Sequence, residues 1–187
     1  MGESETSFDI DHVEHSVGGL GGHAFRRLTH VSMAAIPLVY YTRGDDVAGY
    51  FSVGLDELVS YIFLLILVIE AVRLRFGIVI VGQREYESKQ ISALAWGAFA
   101  VCLTLLITDM EPFSSGTGIK SGIYGIPLIF GLTFVDPLMG EIKRQKQDLR
   151  LAIATGLAVS FVIWVGCSFW LGTPLWICIL LAPLTVL

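Results

Sequence analysis

Asp136 closes a strongly apolar run, 126–135, and is followed by Pro137, Gly140 and Glu141, then by Lys143, Arg144, Lys146 and Arg150. An ionisable side chain at the edge of an apolar segment is costly to place, and by default it marks a functional site. The chemistry this pattern suits is the handling of a metal-bound phosphate. Mg2+ takes one or two carboxylates and fills its shell with water and phosphate oxygens, so Asp136 and Glu141 are candidate metal ligands, and Asp136 is also a candidate catalytic group. Lys143 and Arg144 are candidate phosphate ligands, supplying the positive charge that phosphoryl transfer uses. Pro137 and Gly140 are expected to break the helix and turn backbone groups toward a ligand.

Two further clusters have the same character. Arg26 and His30 are four residues apart and share a helical face, with Arg27 beside them. Two arginines and an imidazole suit a phosphate chain, with His30 a candidate proton acceptor; the bland alternative is the basic flank of a membrane segment. Glu70 and Arg73 lie three apart in the last third of an apolar segment. Pairing removes much of the cost of burying them. Either they pin helices together, or they wall a site in which Arg73 meets phosphate and Glu70 a metal or a ribose hydroxyl. Glu85 and Lys89, four apart in the following loop, suit an exposed helical pair as well as a site. His12 and His15 flank acids, and a solvated tail is expected there ahead of a metal site.

The elements that must position these groups are membrane helices. Of 187 residues, 54% are hydrophobic and 16% charged, with a mean hydropathy of +0.71, too apolar for a soluble domain. The net charge of −5 hides an uneven distribution, because five of the seventeen acids fall in the first fourteen residues. Residues 1–22 are expected to form a polar cytoplasmic tail without a cleavable signal, and 23–187 a single membrane-embedded helical domain. Apolar segments at 24–41, 55–76, 91–108, 123–139 and 151–171 suggest spans. Pro37 is expected to kink the first. A Gly172-Thr173-Pro174 turn precedes a short final run, 175–187. The expected fold is therefore all-α: a polytopic transmembrane helical bundle of about six spans. Cys102, Cys167 and Cys178 stand singly in apolar runs and are expected to be buried and free.

With a cytoplasmic N-terminus, ten of the twelve Lys and Arg residues fall inside, and only Arg43 and Lys120 outside. That asymmetry fits the positive-inside rule. It also brings the polar residues of the first, second and fourth segments to one membrane face, where nucleotides are available.

RRLTH opening the first span, VIEAVRLRFG closing the second, REYES in the loop and FVDPLMGEIKR closing the fourth together resemble the dolichol kinase family of membrane proteins. That family includes polyprenol and phytol kinases and a CTP-dependent diacylglycerol kinase, and is distantly similar to the CDP-diglyceride synthases. The likeness covers roughly 24–150 and is to short archaeal-type members. It implies transfer of the γ-phosphoryl of CTP to a lipid alcohol with a divalent cation. The family's basic-basic-x-x-His pattern falls on Arg26, Arg27 and His30, its Glu-x-x-Arg on Glu70 and Arg73, and its Asp-containing segment on Asp136, Pro137 and Gly140, with Glu141 after. Val135 stands where the family usually has glycine, and the chain runs from Lys143 to Arg150 straight into the fifth span.

The expectation is thus a lipid kinase at the cytoplasmic face of the cell membrane. It would use Mg2+ and CTP, or another nucleoside triphosphate, on an isoprenoid alcohol such as a dolichol or polyprenol, among membrane lipids. Homo-oligomerisation is left open and no nucleic-acid partner is expected. The rival expectations are a CDP-lipid synthase-like cytidylyltransferase and a non-catalytic lipid or ion carrier. No GxxxxGK[ST] loop, GxSxG, HExxH or CxxC is present.

Overall fold

The computed structural model describes residues 16–110 and 116–186, and among them every regular element is helical. The helices are α1 (Gly19–Ser32), α2 (Ala35–Tyr50), α3 (Leu55–Phe76), α4 (Ala93–Thr108), α5 (Gly125–Phe130), α6 (Asp136–Lys146), α7 (Leu149–Leu171) and α8 (Leu175–Leu184). Short 3-10 turns cover Glu85–Lys89 and Gly118–Gly122, and a π-helical turn, Gly131–Val135, joins α5 to α6. His12 and His15 lie outside the described residues.

Two rods are long and apolar enough to cross a membrane: Gly125–Lys146, which unites α5, the π turn and α6, and α7. α2 and α3 meet that test together but are bent by 85°, making a third crossing if they form one broken span. α4 and α8 are apolar but shorter. At 1.5 Å per residue, the ten residues of α8 reach about 15 Å, half of a ~30 Å hydrocarbon layer.

The segment 24–41 is not one helix. It breaks at Met33 and Ala34, and Pro37 sits in the first turn of α2. The break precedes the proline because a Pro ring rejects the carbonyl four residues back, here Met33, while its missing N–H costs nothing in a first turn. Met33's carbonyl instead accepts from Ile36 N–H at 3.0 Å. Downstream, α2 continues through 42–50, which the hydropathy suggested as loop.

α1 is amphipathic with its apolar side outward. At about 100° per residue, Leu20, Leu28 and Val31 share one side and are exposed, while His23, Arg26 and His30 share another and Arg27 stands at the boundary next to Leu20. An exposed apolar stripe on a helix whose polar face points into the molecule suits a helix lying in a membrane interface. Residues 16–22, expected with the tail, are docked. Val17 N–H donates to the Gln83 carbonyl at 2.9 Å, and Gly82 N–H to the Val17 carbonyl at 3.0 Å. Gly22 permits this approach, since a Cβ there would stand 2.1 Å from the Val17 oxygen and 3.2 Å from Gly82 N.

The principal core joins α2, α4, α5 and α7 through Tyr41, Val101, Leu105, Ile126, Ile129 and Leu171. A smaller cluster around Trp164, Cys178 and Ala182 seats α8 on α7. The three cysteines are buried and free. Gly172 closes α7 in the left-handed region and Pro174 opens α8, forming the turn that the Gly-Thr-Pro sequence suggests.

Candidate functional site

The polar face of α1 is where the charged helix ends meet. Arg26 Nη1 donates to Glu87 Oε1 at 2.6 Å, and Arg27 Nη2 donates to Glu141 Oε2. Adjacent on a helix, the two arginines point about 100° apart. One therefore reaches the loop after α3 and the other reaches α6.

On the first side, Glu70 and Arg73 are buried at 6% and 5% exposure. Arg73 donates Nε to Glu70 Oε2 and Nη2 to Glu70 Oε1, both at 2.8 Å. Its remaining N–H groups go to the carbonyls of Ile78 (3.0 Å), Glu87 (2.7 Å) and Gln90 (2.6 Å). A guanidinium has five N–H donors, and all five are engaged by the protein. Glu70 also accepts from Ser92 N–H at 2.6 Å and from Ser92 Oγ at 3.3 Å. Ser92 Oγ in turn caps α4 by accepting from Ala95 N–H at 3.1 Å, and Glu87 Oε2 accepts from Ala93 N–H at 3.2 Å. Three acceptor side chains thus serve the start of α4, the positive end of its dipole. The pair pins the 77–92 loop to α3 and α4, and Arg73 offers no donor to a phosphate in this arrangement.

Glu85 and Lys89 lie on a 3-10 turn, not an α-helix, and both are exposed. The residue between them that turns inward is Glu87, at 2% exposure. Glu87, which the sequence groups with Glu85 and Lys89 among the polar residues of this side, is a buried part of this wall, as are Gln83 and Ser92, which spacing alone left unassigned. The signal for Ser92 was its place before an apolar run, an N-cap position.

On the second side, Glu141 is held by three donors: Arg27, Arg144 (Nη2 at 2.6 Å, Nε at 3.2 Å) and Gln145. Lys143 is exposed on the same helix. The helix break expected after Asp136 is absent, for α6 runs unbroken through Gly140 to Lys146. The irregularity falls one turn earlier, in the π turn, and Pro137 accounts for it. In an i to i+5 pattern the Leu132 carbonyl would look to the N–H of residue 137, and proline has none. His30 Nε2 fills the vacancy, donating to the Leu132 carbonyl at 3.0 Å. The same nitrogen lies 3.9 Å from Asp136 Oδ2, and the Asp136 side chain is 75% exposed.

Asp136 and Glu141 are five residues apart on a regular helix, about 140° around it, so they do not share a face. Among the described residues no group of three or more His, Cys, Asp or Glu side chains could hold a metal ion. Asp136 alone keeps the single carboxylate that Mg2+ arriving with a nucleotide needs, whereas Glu141 is committed to two guanidiniums. His23, also on this face, has its pKa lowered, first by burial and then by the nearby Arg27 and Arg144; its Nε2 is buried without a hydrogen bond.

A two-residue link, Gln147–Asp148, turns α6 into α7. Gln147 takes the left-handed conformation (φ 51°), and Asp148 caps α7 by accepting from Arg150 N–H (2.9 Å) and Leu151 N–H (3.1 Å). The basic residues expected in a loop therefore sit on a helical hairpin. No family model, curated protein or solved structure matches this chain.

Proposed function

We propose that this protein is a membrane lipid kinase that transfers a phosphoryl group from a nucleoside triphosphate, CTP by the family resemblance, to the hydroxyl of an isoprenoid alcohol. The observation that carries this is the meeting of His30 and Asp136 at 3.9 Å where the apolar run 126–135 ends, midway along the Gly125–Lys146 rod, with the Arg27–Glu141–Arg144 cluster further along the same two helices. An exposed carboxylate, an imidazole and two guanidiniums at a membrane edge form a set suited to a phosphate chain and an alcohol at once. We take this edge as the cytoplasmic face of a six-span bundle, with α1 lying in the interface.

The alcohol enters from the bilayer, its hydroxyl reaching Asp136. Its oxygen bonds to the γ-phosphorus as the bond from that phosphorus to the β–γ bridging oxygen breaks. The nucleoside diphosphate leaves, and the hydroxyl proton passes to the Asp136 carboxylate. Lys143, Arg144 and Arg27 neutralise charge on the phosphates, and His30 fixes α1 over the site through the Leu132 carbonyl. Asp136 would hold Mg2+, which would supply charge neutralisation on the phosphates.

The test incubates the purified protein in detergent with CTP labelled at the γ or the α phosphorus and a mixture of lipid alcohols, and reads the lipid product by mass spectrometry. Transfer of γ-phosphorus is expected, and Asp136→Asn removes it while the melting temperature holds. Transfer of α-phosphorus identifies a cytidylyltransferase. Normal turnover by Asp136→Asn overturns the assignment.

A further inference from the structure

We propose that the cleft between Arg26 and Arg84 is a second anion site that takes an organic phosphate, separate from the Asp136 edge. The cleft has a volume of about 490 Å³ and is lined by Arg26, Arg84, Tyr86, Glu87, Gln90 and Trp96, among others. That volume lies within the ~300–1,000 Å³ of small-molecule sites.

Its charge is unbalanced. Two guanidiniums face it and one carboxylate, Glu87, answers them, while Glu85 and Lys89 on the same 3-10 turn are exposed and cancel. Arg26 uses Nη1 on Glu87 and, at 3.5 Å, on the Gly82 carbonyl. Arg84 uses Nη1 on the Tyr86 hydroxyl, with its guanidinium 5.7 Å from the Tyr86 ring centre. Among the described residues the Nε and Nη2 groups of both arginines make no hydrogen bond. Those donors are what a phosphate takes up in charge-assisted, forked bonds.

The cleft is built rather than incidental. Its floor, Glu87, is 2% exposed and is fixed by Arg26 and by Ala93 N–H. The N–H groups of Ala93 and Ala95 in the first turn of α4 are already taken by Glu87 and Ser92, so the attraction is assigned to the arginines. Trp96, 60% exposed, stands beside the cleft one turn into α4, with Ile91 next to it. An indole there offers a flat apolar face and an N–H donor. The recognised chemistry is therefore a phosphate joined to a flat or apolar group, supplied either by a nucleotide or by an anionic lipid headgroup.

The site does not rest on phosphoryl transfer, and the two can fail apart. Calorimetric titration of the full chain in neutral detergent with inorganic pyrophosphate, CTP and dioctanoyl phosphatidic acid tests it. Saturable binding of an organic phosphate is expected, weakened ten-fold or more by Arg84→Ala and partly restored by Arg84→Lys. Trp96→Ala is expected to weaken the organic phosphate and leave pyrophosphate unchanged. Tighter binding of CTP assigns a nucleotide and tighter binding of the lipid a headgroup; either supports the site. Size-exclusion profile and melting temperature check folding. If Arg84→Ala does not fold, Arg84→Gln, which removes the charge and keeps a long polar side chain, carries the same expectation. No binding by any probe, or affinity within two-fold of wild type in the folded variant, overturns the proposal. Arg84-dependent binding without any phosphorylated lipid would remove the kinase and keep the site.

Discussion

Arg26 and Arg27 are neighbours in sequence and hold different parts of the fold: Arg26 pairs with Glu87 in the loop after α3, and Arg27 with Glu141 on α6. One turn of α1 thereby ties together two segments that are distant in the chain. The two pairs differ in depth. Glu87 is almost fully buried, whereas the Arg27 and Glu141 side chains are 36% and 19% exposed.

That difference in depth predicts unequal mutants. Arg26→Ala leaves a buried carboxylate with one backbone N–H, and costs about 3 kcal/mol. Arg27→Ala removes a solvent-screened pair from a glutamate that keeps Arg144, and costs about 1 kcal/mol or less. Thermal unfolding in detergent checks the order, and adding Glu87→Gln to Arg26→Ala should recover most of the loss.

Arg73 should not tolerate the conservative change. Lysine has three N–H donors against the five that are engaged, and cannot form the two-pronged contact with Glu70. Arg73→Lys therefore leaves buried carbonyls in the 77–92 loop unpaired, each worth about 1–3 kcal/mol. A melting temperature lowered more by Arg73→Lys than by Arg75→Lys is the expected result. Equal, small shifts would remove the structural role.

Much of the bundle was legible in the sequence, and the reasons show where legibility ends. α7 is a long apolar run closed by glycine and proline, so its span and its turn follow directly. The charges at 70 and 73 stood out because an apolar run surrounds them, but their partners did not: Arg73 bonds to carbonyls of residues 78, 87 and 90, which no side-chain pattern encodes. Glu87 could not be told from Glu85 for another reason. In EYES the choice between the two glutamates depends on a 3-10 turn and on an arginine 61 residues upstream. The helix break was assigned to Pro137 and Gly140, and the proline's effect appears in the preceding turn, on the carbonyl it fails to serve.

Restoring that missing donor should change the site more than the fold. Pro137→Ala gives back an N–H at 137, letting the turn at 131–135 relax toward α-helix. Removing the extra residue from the turn would swing Asp136 by about 100° relative to His30. Stability should hold or rise, while lipid phosphorylation falls at least ten-fold. Unchanged turnover would show that the π turn does not set the position of Asp136.

The last expectation concerns acid. His23 has its pKa below the ordinary value of 6.5, because burial and the positive charges of Arg27, Arg144 and Arg84 oppose protonation, with Glu141 acting the other way. A histidine depressed in the folded state binds fewer protons there than in the unfolded chain, so folding stability rises with pH across this window. The contribution is complete above 6.5 and is lost as pH falls through that value, where the unfolded chain protonates first. It stops falling once the folded pKa is passed. Melting temperatures between pH 8 and about pH 5 should therefore decline on the acid side, and His23→Gln, which cannot protonate there, should flatten the decline. Because α1 carries His23, hydrogen exchange should report the acid loosening first in residues 19–32 and not in α7. A decline of equal slope in the variant would assign the acid sensitivity to another group.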